Sequence, residues 1–394
     1  MSGPFSSSTE GRFLLSDNLT DEYLGHILPA FIRHIRGEFT PSPSLTIAVG
    51  FDGRNRSKDF ALLASEIISK SGLGVLRSSG IVPLPALSLA AKQHGCAAGI
   101  MITGGSSPSG KIGIEFKQSS GAPFSNSALL KIAKLTSEPD ATPSGIPASH
   151  LAGISEIDFL TDYESYLRSS LDISALTTFA QNPKNNANVL IDSMGGAGQT
   201  IIEEILVSCG WRAQTLFGAP QPDFFDRHPK PNSANLSALR YNVKVIDAQM
   251  GIATDGDGGG CGIILENGDW LDIQTMTLIL LWHQLKQKKK RGNFLRSPII
   301  PEAICRAIQT DLMSVIEMSS DADPNEIWKP GWFLGVSDEG DFSFGPDLPE
   351  RDGILTGLQF AEMVSISGKS LRMLIDVVGS AVGGLGGLPS KKRD

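Results

Sequence analysis

Short apolar runs that end in glycine-rich turns, with amphipathic stretches between them, set the limits on what this chain can fold into. "SLTIAVGFD" reads as a strand closed at Asp52, and "DFALLASEIISKSG" follows with helical spacing and a stop at Gly72. "GVLRSSGIVPLP" gives a second strand and turn, "ALSLAAKQHG" a second helix and "AAGIMIT" a third strand. That βαβαβ order predicts a mostly parallel sheet covered by helices.

A polar, Pro/Ser-rich stretch from Thr136 to His150 predicts a linker, after which the rhythm restarts. "NVLIDSMGGAG" and "WRAQTLFG" read as strands, "QTIIEEILVSCG" and "ANLSALRYNVKVIDA" as helices, and "MGIATDGDGGG" as a strand entering a second glycine-rich turn. A third unit starts near Ile263, with the helix "DIQTMTLILLWHQLKQ". The reading is an α/β fold of three consecutive units, at residues 9–140, 155–260 and 261–380, with a flexible tail at 381–394. The run "KQKKKR", Lys286 to Arg291, predicts a solvated helix end whose cations suit the helix dipole.

Composition narrows the classes. At 394 residues the chain exceeds one typical domain, and 41% hydrophobic with 19% charged residues describes an ordinary globular protein. A net charge of −8 argues against nucleic acid as a partner, which asks for a basic face. Cys96, Cys209, Cys261 and Cys305 lack any CxxC or His pairing and read as free thiols in a reducing compartment. The start "MSGPFSSSTEGRF" has no basic and apolar leader, and "TMTLILLW" is far short of a membrane span. A cytoplasmic protein with no membrane partner is expected.

Three strand ends carry the chemistry: "GFDGR", "GIMITGGSSP" and "GIATDGDGGG". Ligands of open α/β sheets bind at the carboxyl ends of strands. In "MITGGSSPSG" the glycines let backbone N–H groups approach an anion, and Ser106 and Ser107 add hydroxyls. Nucleophile, phosphate ligand and plain turn chemistry all remain open for these serines. Asp255 and Asp257 flank Gly256, so both carboxylates can converge on one cation; Mg²⁺ takes one or two carboxylates plus phosphate oxygens and water. Asp-Gly is also common turn chemistry.

The ordered set resembles the phosphohexomutase family, the phosphoglucomutases and phosphomannomutases, from about Thr9 to Val378. The motifs that carry the resemblance are "GFDGRNRS", "GIVPLPAL", "AGIMITGGSSP", "GIEF", "SGAP", "VLIDSMGGAG", "PKPNSANL", "GIATDGDGGG" and "DGILTGLQFAEM". The resemblance implies four domains around a cleft and a phosphoryl-carrying serine in a T-[AG]-S-H-N-P loop. It also implies Mg²⁺ held by three aspartates of a DGDxDR loop, a GExSGH-like sugar loop and a phosphate-binding last domain.

Aligned without gaps on Thr103 and Pro108, the family serine falls on Gly105, its histidine on Ser106, its asparagine on Ser107 and its lysine on Glu115. Asp255 and Asp257 remain as metal ligands, while the third aspartate falls on Gly259 and the arginine on Gly260. Aligned on Gly335, the sugar-loop Glu, Ser and His fall on Val336, Asp338 and Gly340, leaving Ser337 and Glu339 as polar neighbours for a sugar; Arg54 survives from the GRDTR-like segment. The fourth domain is expected to be absent. The implied protein is catalytically impaired, with a binding or regulatory role toward a hexose phosphate or a protein partner that could supply the missing domain. Any Mg²⁺ binding is expected to be weak. The alternative is an active intramolecular phosphotransferase that uses Ser106 or Ser107.

Overall fold

The structure, a computed structural model, describes residues 6–7, 12–14, 19–39, 45–136, 153–308, 311–318, 331–345 and 347–381. Most of the linker expected up to His150, the tail from residue 382 and most of the "STEGRF" segment lie outside the described residues.

Three sheets form along the chain. The first contains β1 (Ser6–Ser7), β2 (Arg12–Leu14), β3 (Thr46–Phe51), β4 (Gly74–Ser78), β5 (Ala98–Thr103), β6 (Gly113–Gln118) and β7 (Ile154–Ile157), in the order β1-β2-β6-β5-β3-β4-β7. The β5–β3–β4–β7 half is parallel, and β6 turns back antiparallel on β5. The central strand β5 is buried on both faces, which is why it reads as the unbroken apolar run "AGIMIT".

The second sheet is β11 (Cys261–Leu265), β10 (Met250–Thr254), β8 (Asn188–Asp192) and β9 (Arg212–Leu216). The third is β13 (Met313–Glu317), β12 (Gly292–Arg296), β14 (Trp332–Val336) and β15 (Phe342–Ser343).

Two strands cross the expected unit boundaries. β7 lies beyond the linker yet pairs in parallel with β4, completing the first sheet. β11 pairs antiparallel with β10 through Thr254↔Cys261, so the DGDGGG turn is a hairpin tip inside the second sheet rather than a seam at residue 260. The basic run also differs from a plain solvated end. The segment His283–Gln287 widens into a π-turn, and Lys288 points inward, donating to both Glu362 oxygens at 2.8 and 2.9 Å and to the Ser170 carbonyl.

The units share one interior. A single apolar cluster runs from helix Leu84–Gln93 through helices Phe159–Ser169 and Ile273–Trp282 to helix Gly353–Ser367. Helix Gly353–Ser367 is buried along twelve residues from Gly353 to Val364, so over that stretch it has no solvent-exposed face and behaves as a central spine, with Gln359 and Glu362 bonded internally to His283 and Lys288. Asp352 caps it by accepting from Leu355 N at 2.8 Å. Among the described residues no helix is long and apolar enough to cross a membrane, and the four cysteines are free.

Close packing under the spine gives a pair of opposite expectations. A Cβ at Gly357 would stand 2.4 Å from Ile252 Cγ2 on β10, whereas one at Gly25, in helix Asp21–Glu38, meets nothing within 4 Å. Gly25→Ala should raise stability by about 0.5–1 kcal/mol through helix propensity. Gly357→Ala gains the same propensity but overpacks the core, at roughly 1–3 kcal/mol, and should come out neutral to clearly destabilised. Thermal melts of the two variants, measured side by side, check the opposite ordering.

Candidate functional site

At the end of β3 the chain places Asp52, fully buried, as a hub. Its carboxylate accepts from Arg54 N (3.0 Å), Arg54 Nε (3.1 Å), Ser57 Oγ (2.6 Å) and Thr103 Oγ1 (2.8 Å). Burial pushes its pKa up, and those donors oppose the shift.

Arg54 then fixes the turn after β5. Nη1 donates to the carbonyls of Pro108 (2.8 Å) and Lys111 (2.9 Å), and Nη2 to those of Gly105 (2.7 Å) and Ser107 (2.8 Å). With Nε on Asp52, the five guanidinium N–H groups have partners, and the ring of Phe224 lies 4.6 Å from Cζ. The survivor of the GRDTR-like segment therefore grips the loop backbone. That grip draws Gly104 and Gly105 into buried positions, leaving Ser106 and Ser107 half-buried and Pro108 exposed. Gly105 has φ +54°, a left-handed conformation that suits glycine.

The acidic turn lies against this loop. Thr103 Oγ1 stands 3.2 Å from Asp257 Oδ2, and Gly256 packs so tightly that a Cβ there would meet the Gly105 carbonyl at 2.5 Å. Asp255 accepts from Gly260 N at 2.9 Å and Asp257 from Gly259 N at 3.2 Å, so each carboxylate is steadied by its own turn. The first and third units hold the turn by its backbone: Leu84 N donates to the Asp257 carbonyl (2.8 Å) and Gly353 N to that of Gly258 (3.0 Å). The structure thus brings Ser106, Ser107, Arg54, Asp255 and Asp257 into one neighbourhood.

Ser337 and Glu339 lie on the hairpin between β14 and β15. Ser337 Oγ accepts from the backbone N of Glu339 (3.2 Å) and of Asp341 (3.1 Å), shaping its own turn, and Glu339 is exposed.

The residue facing the two aspartates is Arg351. Nη2 donates to Asp257 Oδ2 at 2.9 Å and to Glu115 Oε1 at 3.2 Å; Nη1 stands 3.6 Å from Asp255 Oδ2 and 3.5 Å from Asp341 Oδ2. Beside it the buried Lys117 Nζ donates to Glu115 Oε2 at 2.9 Å and contacts Glu350, which also accepts from Ser88 Oγ. Burial alone would lower the Lys117 pKa, but the Glu115 and Glu350 carboxylates outweigh it and hold it above the usual value. Asp255 is pushed well up, by burial first and then by its neighbours Asp257 and Asp341, against the pull of Arg351. Glu115, at the family lysine position, is therefore one partner in a buried ion network.

A divalent cation does not fit these residues. The oxygens it would need face a guanidinium, and Gly259 brings no third carboxylate. Among the described residues no group of three or more His, Cys, Asp or Glu is arranged to hold a metal.

Sequence reasoning missed Arg351, Asp341, Glu350 and Lys117. The signals are visible in retrospect. Glu115 and Lys117 are opposite charges two apart on one face of an apolar strand, and "PERD" crowds three charges before a mostly apolar helix.

Asp352 adds a pH dependence. Burial raises its carboxyl to about 7; Oδ1 accepts from Tyr163 Oη at 2.7 Å, and Oδ2 has no hydrogen-bond partner among the described residues. An acid with a folded pKa above its unfolded one stabilises most below the unfolded value, near 4, and loses that contribution as pH rises through about 7. Asp352→Asn keeps an oxygen for Leu355 N and Tyr163 without the charge. Its stability should gain on wild type progressively from about pH 4 to 7, by at most about 1.4 kcal/mol per pH unit, and level off above. Melts across that range check the slope; a constant difference would contradict it.

Comparison with known proteins agrees with this geometry. Residues 8–142 match the phosphoglucomutase/phosphomannomutase alpha/beta/alpha domain I and residues 164–268 match domain II. A Methanosphaera stadtmanae protein named as a probable phosphoglucosamine mutase is 26% identical over 384 residues, covering 94% of this chain and 77% of the relative. The phosphoglucosamine mutase of Caldicellulosiruptor saccharolyticus is 27% identical over 301 residues, 75% of this chain and 65% of the relative. The crystal structure of a candidate phosphomannomutase from Thermus thermophilus superposes with a TM-score of 0.84 at 26% identity, covering 97% of this chain and 85% of that one. With both domain matches in order across more than half its length, the chain belongs to the phosphohexomutase family.

Proposed function

We propose that this chain is a phosphohexomutase-family protein that binds a hexose phosphate without carrying its phosphoryl group. The observation that supports this reading best is Gly105. At the position of the phosphoryl-carrying serine there is no side chain, and the carbonyl is held by Arg54 at 2.7 Å. Without a hydroxyl there, the covalent step has no acceptor at that place. In-line transfer depends on position, with about 1 Å of misplacement costing roughly a hundredfold, so a hydroxyl one residue along does not substitute freely.

Binding has separate support. Lys111 is exposed on the same loop, and exposed His228 sits close enough to Lys230 and to Arg54 to feel both charges. His228 is lowered by partial burial and by the Lys230 and Arg54 cations. Such a rim favours a phosphate monoester over a bulky apolar partner. The named relatives are phosphoglucosamine mutases, which makes glucosamine phosphate the first ligand to test.

The second reading, an active phosphotransferase using Ser106 or Ser107, rests on their half-exposed place beside the acidic turn. One experiment separates the two. The purified full chain is incubated with glucosamine 1,6-bisphosphate and glucose 1,6-bisphosphate and weighed intact, alongside coupled mutase assays on glucosamine, glucose and mannose 1-phosphates. No phosphate adduct and no turnover, with saturable binding of a hexose phosphate by calorimetry, is the expected result. A stoichiometric adduct lost in Ser106→Ala or Ser107→Ala overturns it. Absence of any hexose phosphate binding overturns the ligand.

A further inference from the structure

We infer that Arg351 is a built-in cation that takes the place of a divalent metal and fastens the three units to one another at the acidic turn. Four carboxylates surround its guanidinium: Glu115 from the first sheet, Asp255 and Asp257 from the second, and Asp341 from the third unit's own hairpin. The side chain is 7% exposed, and the Asp255 and Asp257 side chains are 1% and 0% exposed. A planar fork with a permanent charge can bridge carboxylates on several sides at once, which a lysine ammonium does less well.

The position was made for this side chain. Gly259 stands where the family resemblance places a third aspartate, and a Cβ there would lie 2.8 Å from Arg351 Nη1 and 2.9 Å from Cζ. A side chain at 259 therefore requires the guanidinium to move from its place among the carboxylates. The backbone of Arg351 is fixed as well, because its N–H donates to Glu350 Oε1 at 3.0 Å, and Glu350 is itself held by Ser88 and Lys117. Removing the guanidinium would leave buried carboxylates without their cation, the costly way to break such a cluster. Unlike a bound metal, this cation cannot dissociate or be chelated.

This inference does not rest on the absence of turnover; a chain that transferred phosphate through Ser106 would hold the same clamp. Its test uses the full-length protein and two readouts other than activity: melting temperature with EDTA or millimolar Mg²⁺ or Mn²⁺, and the electron paramagnetic resonance signal of free Mn²⁺. For wild type we expect melting unaffected by either treatment and no loss of free Mn²⁺ signal. Arg351→Ala should melt about 5 °C or more lower, take up Mn²⁺ and regain part of the loss when it binds. Gly259→Asp with Arg351→Ala should bind Mn²⁺ more tightly still, at least tenfold. Arg351→Lys, which keeps the charge but loses the fork, should fall between wild type and Arg351→Ala in stability while still excluding Mn²⁺. Mn²⁺ uptake by wild type that disappears in Asp257→Asn would overturn the inference whatever the variants do. An Arg351→Ala protein as stable as wild type, or an Arg351→Lys protein that takes up Mn²⁺, would also overturn it.

Discussion

Charge taken out of water has to be matched, and at the meeting point of the three sheets that requirement fixes which side chains can coexist. Asp255, Asp257, Glu115 and Glu350 are 3% exposed or less, and among the described residues Arg351 and Lys117 are paired with them. Each carboxylate left uncompensated would cost several kcal/mol, so loops from every unit converge on the same two cations. The burial of the hairpin tip, the approach of the β14–β15 turn and the start of the spine at Asp352 all follow from this matching.

A second device, independent of the first, acts on the loop after β5. An arginine that offers its fork to four backbone carbonyls turns a glycine- and serine-rich segment, by composition a loose one, into a fixed surface. The loop's shape therefore does not depend on a ligand. Ser106 and Ser107 are presented half-buried on that fixed loop, which lies against the acidic turn.

Much of the fold is legible in the chain because strand and helix periods are local properties. "AGIMIT" and "MGIAT" announce buried strands, and "DGDGGG" announces a tight turn. Sheet membership is not local. Nothing in "ISEI" says that β7 will return to the first sheet, and the pairing of β10 with β11 is hidden when the turn is read as an end rather than a hairpin. The same division holds at the site. Asp255, Asp257 and the serine-rich loop are legible as motifs, and the structure brings them together. Arg351 is not legible, because its role is set by carboxylates 94 and 236 positions away along the chain, which no spacing rule connects.

The contact between Gly259 and Arg351 also shapes how this sequence can change. A side chain at 259 would have to displace the guanidinium from its present place, and losing the guanidinium strands the carboxylates while 259 stays bare. Either substitution alone leads downhill in stability; only the pair leads to a new arrangement. Gly256 is constrained separately, because a Cβ there would meet the backbone carbonyl of Gly105 at 2.5 Å. A homologue carrying an aspartate at 259 should therefore carry a change at 351 as well.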